Sequence, residues 1–157
     1  MAILTSSRNF TYESHIKAPV QEVIAFLQDA PSLASQSPVF ISIHIHPDTS
    51  TTEPYWHVIT ERVPIVGSIE TSTRIRVRFL PTAEGVSCTV RASLGVRMQT
   101  DYVVEEKSEG ESLLKESTTM KASVFLINFT YPIMRDAHKT IIDSIAARAV
   151  QSGGLKL

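Results

Sequence analysis

Glu116 stands in the alternation Leu114, Glu116, Thr118, Met120, and Tyr102 in the alternation Met98, Thr100, Tyr102, Val104. If the two segments pair antiparallel across a turn at Ser108–Gly110, the phenol and the carboxylate fall opposite one another on one apolar face. Tyr12 and Ser14 of an N-terminal segment then belong beside them. An apolar surround disfavours the charged carboxylate, which suits it to general acid or base work. The tyrosine hydroxyl suits a hydrogen bond to a ligand carbonyl. A second reading stays open, in which Glu116 sits near a strand end or a bulge turns it outward.

His138 lies on an apolar stripe four residues after Met134. There it is either a proton-moving group or a satisfied core histidine, and the spacing alone allows both. His44 and His57 become cross-strand partners if residues 39–46 pair with 55–63, with His46 two residues along. Three imidazoles are a zinc or copper set. The same face carries Ser42, Glu61, Arg74 and Arg76, which marks it as the outer one, so a solvated surface and no metal site are expected. Trp56, Thr73, Phe79 and Met98 face inward in these registers, and Met120, Phe125, Phe129 and Met134 extend the apolar set. They line a ligand cavity or simply fill a core.

The elements that must position these groups follow from periodicity. Phe10–Ile16 alternates as a half-buried strand. Pro19 opens a helix over Val20–Ala30, with Val20, Val23, Ile24 and Leu27 at helical spacing, and Pro31 and Pro38 bracket a second short helix or a turn. Antiparallel strands follow. Pairing 39–46 with 55–63 puts Ile43 opposite Val58 and Ile45 opposite Trp56. A turn at Val63–Ser68 carries that face on to Ile69, Thr71, Thr73, Ile75, Val77 and Phe79, with Arg74, Arg76 and Arg78 on the solvated side. Val86, Cys88, Val90, Ala92 and Leu94 continue it after a turn at Pro81–Gly85. From Leu126 to about Val150 the period becomes 3.6, with Ile127, Tyr131, Met134, His138, Ile141, Ile142, Ile145 and Ala149 in one stripe. Thr130 before Pro132 is the expected N-cap, and Gly153–Gly154 ends the helix.

The chain has 157 residues, 43% hydrophobic and 20% charged, which fits one domain over 1–157 with its core in 10–150. A formal charge of −1 with no basic block lacks the footprint of a nucleic-acid binder. Apolar runs fall short of the roughly 20 residues that cross a bilayer, so no stable membrane insertion is expected. Met1–Asn9 reads as a short polar tail without the features of a secretory signal. The one cysteine, Cys88, cannot close an intramolecular disulfide, and a reducing, cytoplasmic setting is expected. There is no phosphate-binding glycine loop, no nucleophile elbow and no His-Glu-x-x-His. The turn Val63-Pro64-Ile65-Val66-Gly67 is unusually apolar; it is a cavity lip, a partner contact, a membrane-surface touch or packing against the second short helix.

Strand, two short helices, six antiparallel strands and a long helix make an α+β chain in which a seven-stranded curved sheet wraps around the last helix. This order resembles the helix-grip fold of the START-related superfamily, also called SRPBCC, which includes the birch-pollen allergen, polyketide cyclases and lipid-transfer domains. The resemblance is carried by His15-Ile16-Lys17-Ala18-Pro19-Val20-Gln21-Glu22-Val23 and by the closing helix from Tyr131-Pro132-Ile133-Met134 to Ala146, and it covers Phe10 to Val150. The plant allergen's glycine-rich loop has no counterpart, since Pro47–Pro54 contains no glycine. A nucleotide- or hormone-type ligand is therefore not carried over.

The resemblance implies a cavity between sheet and long helix holding a hydrophobic small molecule, in pockets that usually measure on the order of 300–1,000 Å³. It further implies a cofactor-free cyclase acting on a terpenoid or polyketide in secondary metabolism, with pericyclic closure or cycloaddition among the reactions. Tyr12, Tyr102, Glu116 or His138 would polarise a carbonyl or shuttle a proton, while the cavity holds a reactive conformer. Two other readings stay open: a lipid or metabolite carrier without turnover, and a protein-interaction module. A homodimer is allowed, and nothing fixes it.

Overall fold

The computed structural model of the chain describes residues 4–47, 56–155 and 157, and for 64–66 the backbone alone. The elements run β1 (Thr5–Ile16), α1 (Val20–Gln28), α2 (Ala30–Ala34), β2 (Phe40–Ile45), β3 (Trp56–Val66), β4 (Ile69–Thr82), β5 (Gly85–Arg91), a 3₁₀ turn (Ser93–Gly95), β6 (Arg97–Ser108), β7 (Glu111–Ser123) and α3 (Val124–Gln151). One seven-stranded antiparallel sheet has the order β1-β7-β6-β5-β4-β3-β2. The first strand closes against the last, so β1 and β2 are its two edges. This is the helix-grip arrangement that the element order implied.

Several local expectations need correction. The segment before Phe10 is not a tail, because β1 begins at Thr5 and pairs with β7 from Ser123 onward. The N-cap of α3 is Ser123, whose Oγ accepts from the Leu126 amide at 3.3 Å. Thr130 lies inside the helix, donating its hydroxyl to the Leu126 carbonyl at 2.9 Å. Pro132 is also internal, where it has no N–H to give the preceding turn. Leu94, expected on the inner face, is 81% exposed at φ +58° in the 3₁₀ turn. The apolar run at 63–66 is not a turn: its backbone is strand to Val66, and Gly67 at φ +59° makes the reversal. Beyond Val63, its readings as a lip or contact fall on side chains outside the described residues.

The largest correction is to β3. Next to the turn, Val66 pairs with Ile69, a register that extended along the strand would put Trp56 opposite Phe79. A bulge between Pro64 and Val66 inserts one unpaired residue, and a one-residue slip turns every later side chain over. Trp56 therefore pairs with Arg78, His57 with Val77, Ile59 with Ile75 and Glu61 with Thr73. Against β2 the pairs are Ile43 with Ile59 and Ile45 with His57. Trp56 lies on the outer face between two guanidiniums, with Arg78 5.3 Å and Arg91 4.8 Å from its ring. His57 and Glu61 turn inward, so the three imidazoles of His44, His46 and His57 do not share a face.

Gly85 shows how closely β5 and β6 approach: a Cβ there would stand 2.0 Å from the Tyr102 carbonyl oxygen. The α1 face of Val23, Phe26 and Leu27 is buried in the main apolar cluster. Phe26 alone removes enough surface to stabilise the fold by roughly 1.5–3 kcal/mol. Gln28 ties the helix to the β4–β5 turn through the carbonyls of Thr82 and Gly85, at 3.0 and 2.8 Å.

α3 rides along β1 and β7. Tyr12 donates its hydroxyl to the Arg135 carbonyl and Tyr131 to the Asn9 carbonyl, both at 3.0 Å. Ile141, Ile142, Ile145 and Ala149 pack into the main cluster, while Ile127 belongs to a second cluster with Val96, Met98, Met120 and Ala122. With the helix fixed to one edge of a curled sheet, space is left between it and β3–β6.

Candidate functional site

That space is a cavity in two chambers. The inner chamber, about 110 Å³, is walled by α2, the middle strands and α3, with Ile59, Val77, Phe79, Cys88 and Met98 among its apolar sides. The outer chamber, about 360 Å³, lies toward the 3₁₀ turn and the start of α3. Val39, Glu61, Ile75, Ala92, Val96 and Met134 line both.

Between the two apolar clusters runs a polar seam, and its residues come from four elements. Thr100 and Tyr102 on β6 pair directly with Thr118 and Glu116 on β7, and Tyr12 on β1 is Glu116's partner on the other side. Alternation puts Thr100, Tyr102, Glu116 and Thr118 on the buried face. Thr118 donates to Glu116 Oε1 at 2.9 Å, so the 2.9 Å contact between the two threonine hydroxyls is donated by Thr100. From α3, His138 Nδ1–H donates to the same Oε1. Glu116 is 1% exposed, and its Oε2 has no hydrogen-bond partner among the described residues. Phe10 presses against the imidazole edge-on at 5.3 Å between ring centres.

A carboxylate on Nδ1 fixes the tautomer, leaving the lone pair on Nε2. His138 lines the inner chamber, and so does Tyr102. The Tyr102 hydroxyl makes no hydrogen bond among the described residues. Burial, with the Glu116 charge adding to it, holds its pKa well above the ordinary tyrosine value. Tyr102 is therefore a donor and not a base. An imidazole nitrogen able to take a proton and a phenol able to give a hydrogen bond thus face the same small apolar space.

The structure separates the other expected residues. Phe79 and Met98 line the inner chamber, Thr73, Met120 and Phe129 the outer one, and Met134 both. Trp56 is on the opposite face of the sheet. Phe125 is 91% exposed: two residues from buried Ile127, it is turned about 200° around the helix. Tyr12 lines neither chamber, and its hydroxyl is occupied by the Arg135 carbonyl. Its pKa is raised by burial, against the opposing Arg135 charge.

Glu61 was assigned to the outer face, yet it lines both chambers. Burial pushes its carboxyl up from the ordinary value, against a lowering pull from His138. The available signal was Trp56: an indole next to Arg78 and Arg91 on the solvated face accounts for the aromatic residue and frees Ile59 and Glu61 to point in. The threonine relay was visible as inner-face positions, although its role depends on α3 placing His138 over it.

Among the described residues no helix is long and apolar enough to cross a membrane, and no group of three or more His, Cys, Asp or Glu is placed to hold a metal ion. The model of a family described as domain of unknown function DUF7053 matches residues 14–151. No curated protein matches the chain. Among solved structures, Ara h 8.0201 superposes with a TM-score of 0.67 at 15% identity, covering 93% of this chain and 99% of its own. Norcoclaurine synthase from Thalictrum flavum, in complex with dopamine and hydroxybenzaldehyde, gives 0.66 at 15% identity, with 94% and 88% covered. A START superfamily protein from Mycobacterium smegmatis gives 0.71 at 10% identity, with 91% and 97% covered. At these identities the likeness is one of fold.

Proposed function

We propose that this chain, which belongs to the DUF7053 family, is a cofactor-free cyclase that encloses a hydrophobic small molecule and closes a ring on it. The observation that carries the reading is the buried Glu116–His138 pair set behind the inner chamber beside a Tyr102 hydroxyl that makes no hydrogen bond among the described residues. Greasy binding needs none of these groups. Burying them costs solvation that apolar residues of similar volume would not lose. In the proposed reaction His138 Nε2 withdraws a proton from the ligand, Tyr102 donates to the oxygen where charge develops, and Glu116 holds the imidazole in place. The apolar walls favour a folded conformer and keep water out. A fold relative that is a synthase and holds two small aromatic molecules is in keeping with such chemistry in this architecture.

The two apolar clusters that flank the seam favour a second reading, a lipid or hydrophobic-metabolite carrier in which the same pair is only a brace. Native mass spectrometry and an organic extract of purified protein identify the ligand class. Conversion of that class is then compared between the native chain and Glu116→Gln. Loss of product with retained binding supports the cyclase. Equal conversion removes the pair from catalysis, and release of the extracted compound unchanged by either protein makes the chain a carrier.

A further inference from the structure

The two chambers meet at Glu61, and the charges around that point are unbalanced. The inner chamber carries Glu61 and His138 on its walls, Glu116 directly behind the imidazole, and no lysine or arginine. The outer chamber adds Arg62, which is exposed. Glu61 makes no hydrogen bond or ion pair among the described residues. Its strand partner across β4 is Thr73, which also lines the outer chamber. The one titratable side chain acting on it across the cavity is His138, whose Nδ1–H is already taken by Glu116.

A half-buried carboxylate on a mostly apolar wall without a partner is disfavoured, and a complementary charge offsets that cost. Apolar walls also strengthen the field of the two carboxylates, which disfavours an anionic guest. We propose that the ligand carries a protonated amine, held by Glu61 where the chambers meet, with its apolar body along Ile75, Val96 and Met134. This deepens the small-molecule reading above and rests on it. Glu61 would be a specificity residue, and the acid–base pair would act on the part of the ligand lying in the inner chamber. A single carboxylate suits an ammonium group, which needs one strong acceptor; a divalent metal ion would need several oxygen ligands.

The test uses octylamine, octanol and octanoate, which share a tail and differ in the charge of the head, titrated by calorimetry into the native protein and into Glu61→Gln. A hydrogen bond to a charged group predicts that octylamine binds about ten- to a hundredfold tighter than octanol, with octanoate weakest. In Glu61→Gln the amine and the alcohol should come within about threefold of each other. Octanol binding as tightly as octylamine to the native protein overturns the proposal, and this comparison stands even if the variant misfolds. An amine preference that survives in folded Glu61→Gln overturns the assignment to Glu61. If none of the three probes binds, the cavity reading itself fails and takes this one with it, whereas octanol binding without an amine preference leaves the cavity reading standing.

Discussion

His138 on α3 and Glu116 on β7, 22 residues apart in sequence, share a hydrogen bond that joins the closing helix to the sheet inside an apolar interior. The carboxylate is fully buried and the imidazole nearly so. Removing one partner strands the other. His138→Leu should cost about 3–5 kcal/mol, because Thr118 remains as the only donor to a buried charge. The double variant His138→Leu/Glu116→Met should lose much less than the sum of the two single losses. Urea denaturation of the four proteins gives the coupling energy, and additive losses would show that the two side chains do not support each other.

Glu61 ties stability to pH in the opposite sense to a salt-bridged carboxylate. Its folded-state pKa is raised by burial above the ordinary 4.5, so between those values the folded chain holds a proton that the unfolded chain has lost. Stability is then highest below the unfolded value and falls as pH rises through the folded one. Glu61→Gln removes this loss. Its melting temperature should exceed that of the native protein at neutral pH and converge with it near pH ~4. Parallel pH profiles would show that the carboxyl is well solvated.

Where alternation was strict, the sequence was legible. β6 and β7 carry inner-face residues at every second position, so matching their apolar faces fixes the register and Tyr102 opposite Glu116 could be read directly, although a bulge between Glu106 and Ser108 shifts the pairing by one residue beside the turn. The order of elements was legible for a similar reason, since each change of period marks a change of element. β3 was not. Both of its faces are mixed, one with Trp56 and Val58 and the other with Ile59 and Val63, so hydrophobicity does not choose between them. The choice is made by a bulge, which leaves no compositional trace. Glu61 was misplaced for that reason, and with it the carboxylate that lines both chambers. The seam around His138 depended on where a 28-residue helix lies along the sheet, which its own periodicity does not specify.

Trp56, the single tryptophan of the chain, makes the face of β3 measurable. Packed between Arg78 and Arg91 outside the sheet, it should be quenched efficiently by iodide, which the two guanidiniums attract, and less by caesium. Filling the cavity should leave its emission unchanged. A ligand-induced shift of the emission maximum would place the indole on the inner face after all.

Cys88 reports on the inner chamber from within. It lines that chamber, is 5% exposed, and burial, with the charges of Glu116 and Asp101 adding to it, pushes its thiol far above the ordinary range. The reactive species is the thiolate, so iodoacetamide should label the native protein slower than a free thiol by a factor on the order of 10² or more, and at the ordinary rate in denaturant. Because a reagent must enter by the same route as a guest, an occupied cavity should slow labelling further. Intact-mass measurement follows both effects. Labelling that is fast and indifferent to ligand would mean that the thiol reaches solvent by a path that avoids the cavity, and the chamber could not then be the enclosed space on which the acid–base reading depends.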